Sequence, residues 1–408
     1  MNKLLTIFFL LFFQSILAQK TLSGKVVVAG TSQPVSSASV YINNTSIGTT
    51  TDDKGIFKLD RLPTDKFDLI VSCIGYETYV LSIDYNQIES SLIIQVKPKI
   101  KELTEVIVGG YEKDGWQKWG QFFLEHFIGR SSFANDCDIL NTDVIHFRLN
   151  KKDNILSVVT DEPLIIENKS LGYVLKYQME QFDYNFNDHF LSYYGYPFFQ
   201  QMPAKRASQL KRWNKNREQA YYGSIMHFMR SVYRNTLIEE GFEVRKLIRQ
   251  PNKEKQRIKE LYKSRMIKNL DGTITMGKFP QDSSSYYSHV MSMPDATDYL
   301  IKTILPGDSI AYATDSITVL LAFNDFLDIT YKNAKEPYEY VQQMIRPTRA
   351  VDHPNSKINL LRDKLIQVLS NGNYYDPSKS LISYGFWAWT MMADLLPFDY
   401  KLPPKINK

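Results

Sequence analysis

Between residues 21 and 96 the chain runs in short β-rich stretches, each closed by Gly, Pro or Asp, and this rhythm constrains the fold more than any other feature. Leu22-Ser23-Gly24-Lys25-Val26-Val27, Ala38-Ser39-Val40-Tyr41-Ile42, Ile56-Phe57-Lys58-Leu59, Leu69-Ile70-Val71, Tyr79-Val80-Leu81-Ser82-Ile83 and Leu92-Ile93-Ile94-Gln95-Val96 are its runs. They recur at roughly 8–12 residues, the pattern of an antiparallel sandwich. Asp52-Asp53-Lys54-Gly55 predicts a tight turn in which Gly55 takes positive φ. About seven strands without a helix predict a Greek-key β-sandwich over residues 19–98.

Residues 1–18 predict the compartment. Lys3 supplies a positive start, residues 4–13 an apolar core, and Ser15-Ile16-Leu17-Ala18 a cleavage site ending in a small residue. That is the pattern of a signal peptide, too short to span a membrane, with Gln19 as the expected first residue after cleavage. No Cys follows the cleavage point, so a lipid anchor is not expected there. Only Cys73 and Cys137 occur; a disulfide stays open, and two unrelated thiols are the favoured reading. No later run of about 18 apolar residues predicts a transmembrane helix. The expected location is the periplasm or the outer membrane.

The matching pieces Gly24-Lys25-Val26, Pro34-Val35 with Ala38 and Val40, Gly48-Thr49 with Thr51-Asp52, Gly55-Ile56-Phe57 and Ile74-Gly75-Tyr76 occur in order. In them the stretch resembles the carboxypeptidase regulatory-like domain, the transthyretin-like sandwich fused to many exported proteins of Bacteroidetes-type bacteria. The resemblance implies an accessory module without a zinc site, and so no peptidase. Leu103-Thr104-Glu105-Val106-Ile107-Val108-Gly109-Gly110-Tyr111 is similar to the segment after this sandwich in TonB-dependent outer-membrane transporters. Too little chain follows for a plug and a barrel of about 22 strands. Residues 99–114 therefore read as a linker or strand, with an edge-adding strand for a partner as the alternative.

Residues 115–408 read as an α+β domain, making the whole chain mainly β. In 115–129, Trp116, Trp119, Phe123 and Phe127 fall on one helical face, stopped at Gly129. From 143 to 202 the period becomes two, which predicts one antiparallel sheet of about five strands with a hairpin turn over 150–154. Residues 204–238 carry a long amphipathic helical stripe through Leu210, Trp213, Ala220, Tyr221, Ile225, Phe228, Met229 and Val232. This segment resembles one in uncharacterised Bacteroidetes envelope proteins that pair it with the sandwich, implying an envelope location and no activity. Strand signals resume after residue 271, Asn371-Gly372 marks a hairpin, and residues 383–396 predict a closing helix.

No catalytic motif surfaces. None of the six His begins a His-x-x-Glu or His-Glu-x-x-His pattern, and no Gly-x-Ser-x-Gly or phosphate loop occurs. No catalytic residue, metal ligand or cofactor is therefore expected, and His146 and His227 read as ordinary packed or surface histidines. The feature that does point outward is charge. Between Lys205 and Lys268 stand eighteen Lys and Arg against six Glu and no Asp, a local balance of +12 within a chain of +5. In an exported protein nucleic acid is not the expected partner; an anionic lipid, an acidic glycan or an acidic envelope protein is. Lys211, Arg212 and Lys215 lie off the apolar stripe, and Arg230 and Arg234 extend the candidate surface. The favoured reading is a non-enzymatic envelope module that binds or assembles. The competing one is an exported hydrolase of glycan or peptide with the sandwich as accessory.

Overall fold

Alternation of inward apolar and outward polar residues sets the first layer. Strands β1 (Leu22–Val28), β2 (Ser39–Ile42), β3 (Gly48–Thr50), β4 (Ile56–Leu59), β5 (Phe67–Ser72), β6 (Tyr79–Ile83) and β7 (Ser91–Val96) form two sheets, ordered β4-β1-β7 and β3-β2-β5-β6. Leu22, Val26, Val40, Phe57, Leu69 and Ile94 meet between them in one core. β7 returns to lie parallel to β1, with Val26 opposite Ile94. At the turn before β4, Asp52 Oδ1 accepts from the backbone N–H of Lys54 at 2.9 Å and of Ile56 at 2.8 Å. Gly55 takes φ 74°, and a Cβ there would stand 2.5 Å from the Val26 carbonyl oxygen, so the turn accepts only glycine. This computed structural model describes residues 20–403 except 89–90, 100–109, 265, 269–273, 277–283, 316, 344–349, 362–364 and 377–379. The expected signal peptide and most of the linker strand lie outside the described residues.

The second layer begins with α1 (Gly115–Phe127), which buries Phe123 and Phe127 and leaves Trp116 and Trp119 packed at the margin. It covers a sheet of β8 (Cys137–Ile139), β9 (Ile145–Asn150), β10 (Ile155–Thr160), β11 (Leu164–Asn168), β12 (Tyr173–Asn185) and β13 (Phe190–Gln201). The order is β8-β11-β12-β10-β9, with β13 on the other edge of β12. The sequence reads Tyr173-to-Tyr177 and Phe182-to-Phe186 as separate strands; they are one strand, bent where the register to β13 shifts between Met179 and Gln181. The bulge lets β12 hold β11 along one half and β10 along the other while β13 follows its opposite edge.

Next come α2 (Ala207–Tyr221) and α3 (Ile225–Arg234), then β14 (Phe242–Pro251), α4 (Lys253–Ser264), β15 (Met266–Lys268), β16 (Ile274–Met276), α5 (Ser284–Ser292) and β17 (Ala296–Ile304). The chain continues through β18 (Ala311–Ala313), β19 (Val319–Ala322), β20 (Phe326–Tyr331), α6 (Tyr338–Gln342), β21 (Asn355–Leu360), β22 (Leu365–Val368), β23 (Tyr374–Tyr375), β24 (Leu381–Gly385) and α7 (Phe386–Trp389). Two further sheets result, β17-β14-β20-β21-β24 and β18-β19-β22-β23, beside a β15-β16 pair. Phe228, Met229, Val232, Phe242, Leu327 and Trp387 are in the third core.

Two expectations change here. The single long helix is two, because Gly223 at φ 80° breaks it, its N–H turned to His227 Nδ1 and its carbonyl to Trp387 Nε1 at 2.7 Å. The break lets α2 pack on the second core and α3 on the third. The closing helix over 383–396 is mostly strand and tail: β24 adds to the edge of β21, and only α7 and a 3₁₀ turn at Met392–Asp394 are helical. Beyond α7 the tail ties the layers together. Met392 and Leu396 enter the second core, and the Phe398 N–H donates to the Asn44 carbonyl in the sandwich at 2.8 Å.

The sandwich is docked on β13. Thr45 bridges Phe198, Tyr41 stacks on Phe198 with centroids 5.0 Å apart, and Tyr41 Oη donates to the Tyr196 carbonyl at 3.0 Å. Tyr41, Ile70 and Phe198 form a small core of their own. Both cysteines are free: Cys137 is buried at the start of β8, and Cys73 sits just past β5, only half-buried.

Candidate functional site

α2 and α3 decide which cations of the basic segment meet solvent. α2 docks through Trp213, whose Nε1–H donates to the Lys169 carbonyl at 2.8 Å, and through Arg217, whose Nε donates to the Leu171 carbonyl at 2.7 Å. The Arg217 guanidinium lies 4.1 Å from the Tyr173 ring centroid, and burial lowers its pKa. With that face turned inward, Lys205, Arg206, Lys211, Arg212 and Lys215 are exposed on the first turns and the approach to them. Lys205, Arg206, Ser208, Gln209 and Arg212 line a shallow groove. Arg206 caps α2 without a side-chain hydrogen bond, so the helix start adds its own partial positive charge to the groove.

Of the predicted surface residues, Lys211, Arg212 and Lys215 are exposed together on α2, and Arg234 is exposed on the last turn of α3. Arg230 is a correction. It is 6% exposed, its Nε donating to the Asn371 carbonyl at 2.8 Å and its Nη2 to the carbonyls of Phe398 and Tyr400, both at 3.0 Å. It clamps the tail and presents no charge to a partner, because α3 buries that face against the chain terminus. Leu210 is corrected in the other direction. Placed in the buried stripe by periodicity, it is 40% exposed, since the buried residues of α2 are Trp213, Arg217 and Tyr221, further along the helix.

Several other cations of the basic segment have acidic partners. Arg249 binds Asp298 at 2.7 Å, Lys246 binds Asp325 at 3.1 Å, Lys259 binds Asp295 at 2.7 Å and Arg257 binds Glu254 at 2.6 Å. The Arg249 hydrogen bonds hold the Asp298 carboxyl down at about 2, and those of Arg257 and Tyr286 hold Glu254 at about 2. Among the described residues, none of Lys205, Arg206, Lys211, Arg212 and Lys215 makes such an ion pair. Among the described residues the cations around the start of α2 therefore stand unpaired together, while Arg234 on α3 and Lys253 and Lys263 on α4 are further cations of the segment without an ion pair.

The histidines assemble no reactive centre among the described residues. His227 Nδ1 accepts from the Gly223 N–H at 3.1 Å, which assigns the proton to Nε2, 3.2 Å from Glu240 Oε2. A His–Glu pair of this kind orients a base in other settings, but here the second nitrogen is occupied by backbone. Burial lowers the His227 pKa. His146 pairs with Asp161 at 2.7 Å and stacks on Tyr111. Burial pushes the Cys137 thiol up to about 12 and raises that of Cys73, so neither thiol is activated as a nucleophile. No group of three or more His, Cys, Asp or Glu able to hold a metal occurs among the described residues.

Comparison with known proteins defines the first layer as a class. Residues 22–108 match the family described as CarboxypepD_reg-like domain, and the sandwich is a domain of that kind. No curated protein matches the chain. Among solved structures, alignments reach a type II cohesin–X-dockerin complex from Acetivibrio cellulolyticus at 19% identity and TM-score 0.15, over 19% of this chain and 56% of that one. They also reach a protein of unknown function from Bacteroides fragilis at 10% identity and TM-score 0.17, over 90% of this chain and 95% of that one. A DUF3823 family protein from Bacteroides uniformis aligns at 8% identity and TM-score 0.15, over 86% and 99%. These scores fall below those of a shared overall arrangement. Among the described residues no helix is long and apolar enough to cross a membrane.

Proposed function

We propose that this protein is an exported envelope module that rests on an anionic lipid surface through the start of α2. One observation carries the reading: around the start of α2 the apolar Leu210 and the cations Lys205, Arg206, Lys211, Arg212 and Lys215 are all exposed. An acidic glycan asks only for charge, whereas a lipid headgroup layer rewards charge and a projecting apolar side chain together. Each exposed cation near such a surface contributes about 1 kcal/mol, so the cluster acts as a unit. The carboxypeptidase-regulatory-like sandwich and the predicted signal peptide support a periplasmic or outer-membrane setting.

The reading is of a binding module. A hydrolase of glycan needs two carboxylates facing one bond, and among the described residues the aromatic-walled cavity between the layers is lined by one carboxylate, Asp394, and no histidine. The test is co-sedimentation of the full chain with vesicles of anionic or of zwitterionic phospholipid, with beads carrying an acidic polysaccharide as a second arm. The expected result is retention on anionic vesicles alone. Retention on the polysaccharide beads and not on vesicles would replace lipid by glycan, and retention on neither would end the proposal.

A further inference from the structure

The five-stranded sheet ends on β17, which pairs with β14 and, among the described residues, with no other strand. Every residue from Thr297 to Ile304 is exposed, and so are Ile248 to Pro251 on β14 beside it. That end of the sheet meets solvent on both faces. Tyr299, Leu300, Ile301 and Ile304 stand there as large apolar side chains, Tyr299 at 51% exposure and Leu300 at 48%. A long edge of this kind is a template for another strand.

The backbone leaves the centre of that template open. The Asn252 N–H donates to the Asp295 carbonyl at 2.8 Å, and the register continues with Ala296 opposite Pro251, Asp298 opposite Arg249 and Leu300 opposite Leu247. Antiparallel pairs alternate between bonded and unbonded. Thr297 and Tyr299 therefore bond to β14, while Asp298 and Leu300 turn their N–H and C=O groups to the free edge. Pro251, which has no N–H, falls at an unbonded pair, as this alternation requires. Past Leu300 the register shifts, and Ile301, Lys302 and Thr303 stand opposite Lys246. A bulge and a lysine are ordinary devices for blunting an edge, and β17 has both. What sets it apart is that a second β17 answers them.

We propose that β17 is a homodimerisation edge, on which a second copy of this chain lays its own β17 antiparallel about a two-fold axis at Leu300. The order of residues about Leu300 selects that partner. Thr297-Asp298-Tyr299 precede it and Ile301-Lys302-Thr303 follow it. In the symmetric register Thr297 meets Thr303, Asp298 meets Lys302 and Tyr299 meets Ile301, once on each side of the axis. Threonine pairs, opposite charges and an aromatic against a β-branched residue are the cross-strand pairs that stabilise antiparallel sheets. Within its own sheet Asp298 binds Arg249 at 2.7 Å and Lys357 at 3.2 Å, and Lys357 also faces Asp328. Two carboxylates meet two cations there, so the second copy's Lys302 arrives beside Asp298 at a balanced cluster. Each copy gives and receives the same contacts, as a closed two-fold interface demands. This surface goes beyond the lipid-surface reading and does not depend on it.

The test is sedimentation velocity of the full chain over a concentration series. One pair of strands buries less than the about 1,600 Å² of a standard interface, so the expected result is a reversible dimer with Kd of about 10–100 µM. Leu300→Lys sets two like charges face to face at the axis and should leave a monomer; its melting temperature should match wild type, because residue 300 is exposed in the single chain. Tyr299→Lys and Ile301→Glu, also at exposed positions, should each weaken the dimer about tenfold. Mixing those two variants should restore it as a heterodimer, since the Lys of one then meets the Glu of the other in the register centred on Leu300. A wild-type chain still monomeric at about 1 mM, a dimer that Leu300→Lys retains, or a mixture that associates no better than either variant by itself, overturns the proposal.

Discussion

Arg230 and Lys211 carry the same charge and opposite meanings. A buried arginine whose Nε and Nη2 donate to three carbonyls is a structural clamp, and its loss strands the Asn371, Phe398 and Tyr400 carbonyls. Hydrogen bonds from charged groups contribute about 1.5–3 kcal/mol each, so Arg230→Met should lower the stability of the full chain by roughly 3 kcal/mol in urea denaturation. Lys211→Glu should stay within about 0.5 kcal/mol. Spacing could not separate these cases: Arg230 lies one position from Met229 in a helix buried on most sides, and its carbonyl partners come from residues more than a hundred positions away. Asp394 makes a pH prediction. Its folded carboxyl sits near 7, above the ordinary unfolded value, because burial disfavours the charge. The folded chain then binds the extra proton between about pH 4 and 7, so this group's contribution favours folding at low pH and is lost as pH rises through 7. Asp394→Asn should flatten that slope, giving a melting temperature above wild type at pH 8 and near it at pH 4.

At the scale of elements, local pattern was legible where one face of an element packs and illegible where tertiary contact overrides it. The sandwich strands, the Gly55 turn and α1 with its stop at Gly129 all follow from period and punctuation. The long β12 read as two because Met179-Glu180-Gln181 interrupts the alternation, and only the bulge to β13 shows it to be continuous. The tail's apolar spacing suited a helix, yet the open edge of β21 recruits Leu381–Gly385 as a strand. The α2–α3 corner was hidden in an unbroken helical stripe, and its signal was Gly223. A Cβ at that position would stand 2.8 Å from the Tyr331 ring, at φ 80°. Gly223→Ala should cost roughly 1–3 kcal/mol, seen as a lower urea midpoint with unchanged slope; equal or greater stability would mean that the corner is not fixed by this glycine.

At the scale of the whole molecule, the sandwich reads from sequence as a separable module, and the structure fastens it. Nothing in 21–96 foretold that Tyr41 and Ile70 would serve β13, because a β-strand's outer face looks alike whether it meets water or another domain. Phe198→Ala removes the residue that Tyr41 stacks on. It should cost about 3–5 kcal/mol and turn one unfolding transition into two, with calorimetry as the measure; a single undisplaced transition would mean the layers are joined elsewhere. The candidate site was half legible: composition located the basic segment, and Lys211, Arg212 and Lys215 are indeed exposed on one helix. What could not be read was which cations have acidic neighbours, since Asp295, Asp298 and Asp325 lie outside the segment they neutralise.

The claim that the start of α2 seats the protein on an anionic lipid surface is tested most directly by a salt series of vesicle binding. The Debye length falls from about 10 Å at 0.1 M to about 3 Å at 1 M, so binding of the wild-type chain to anionic vesicles should drop steeply across that range. Lys211→Glu/Arg212→Glu/Lys215→Glu should abolish it at every salt concentration while leaving the melting temperature unchanged, and Arg257→Ala/Lys259→Ala on α4 should bind as wild type does. Binding by the α2 triple variant equal to wild type, or wild-type binding that salt does not weaken, would contradict the account.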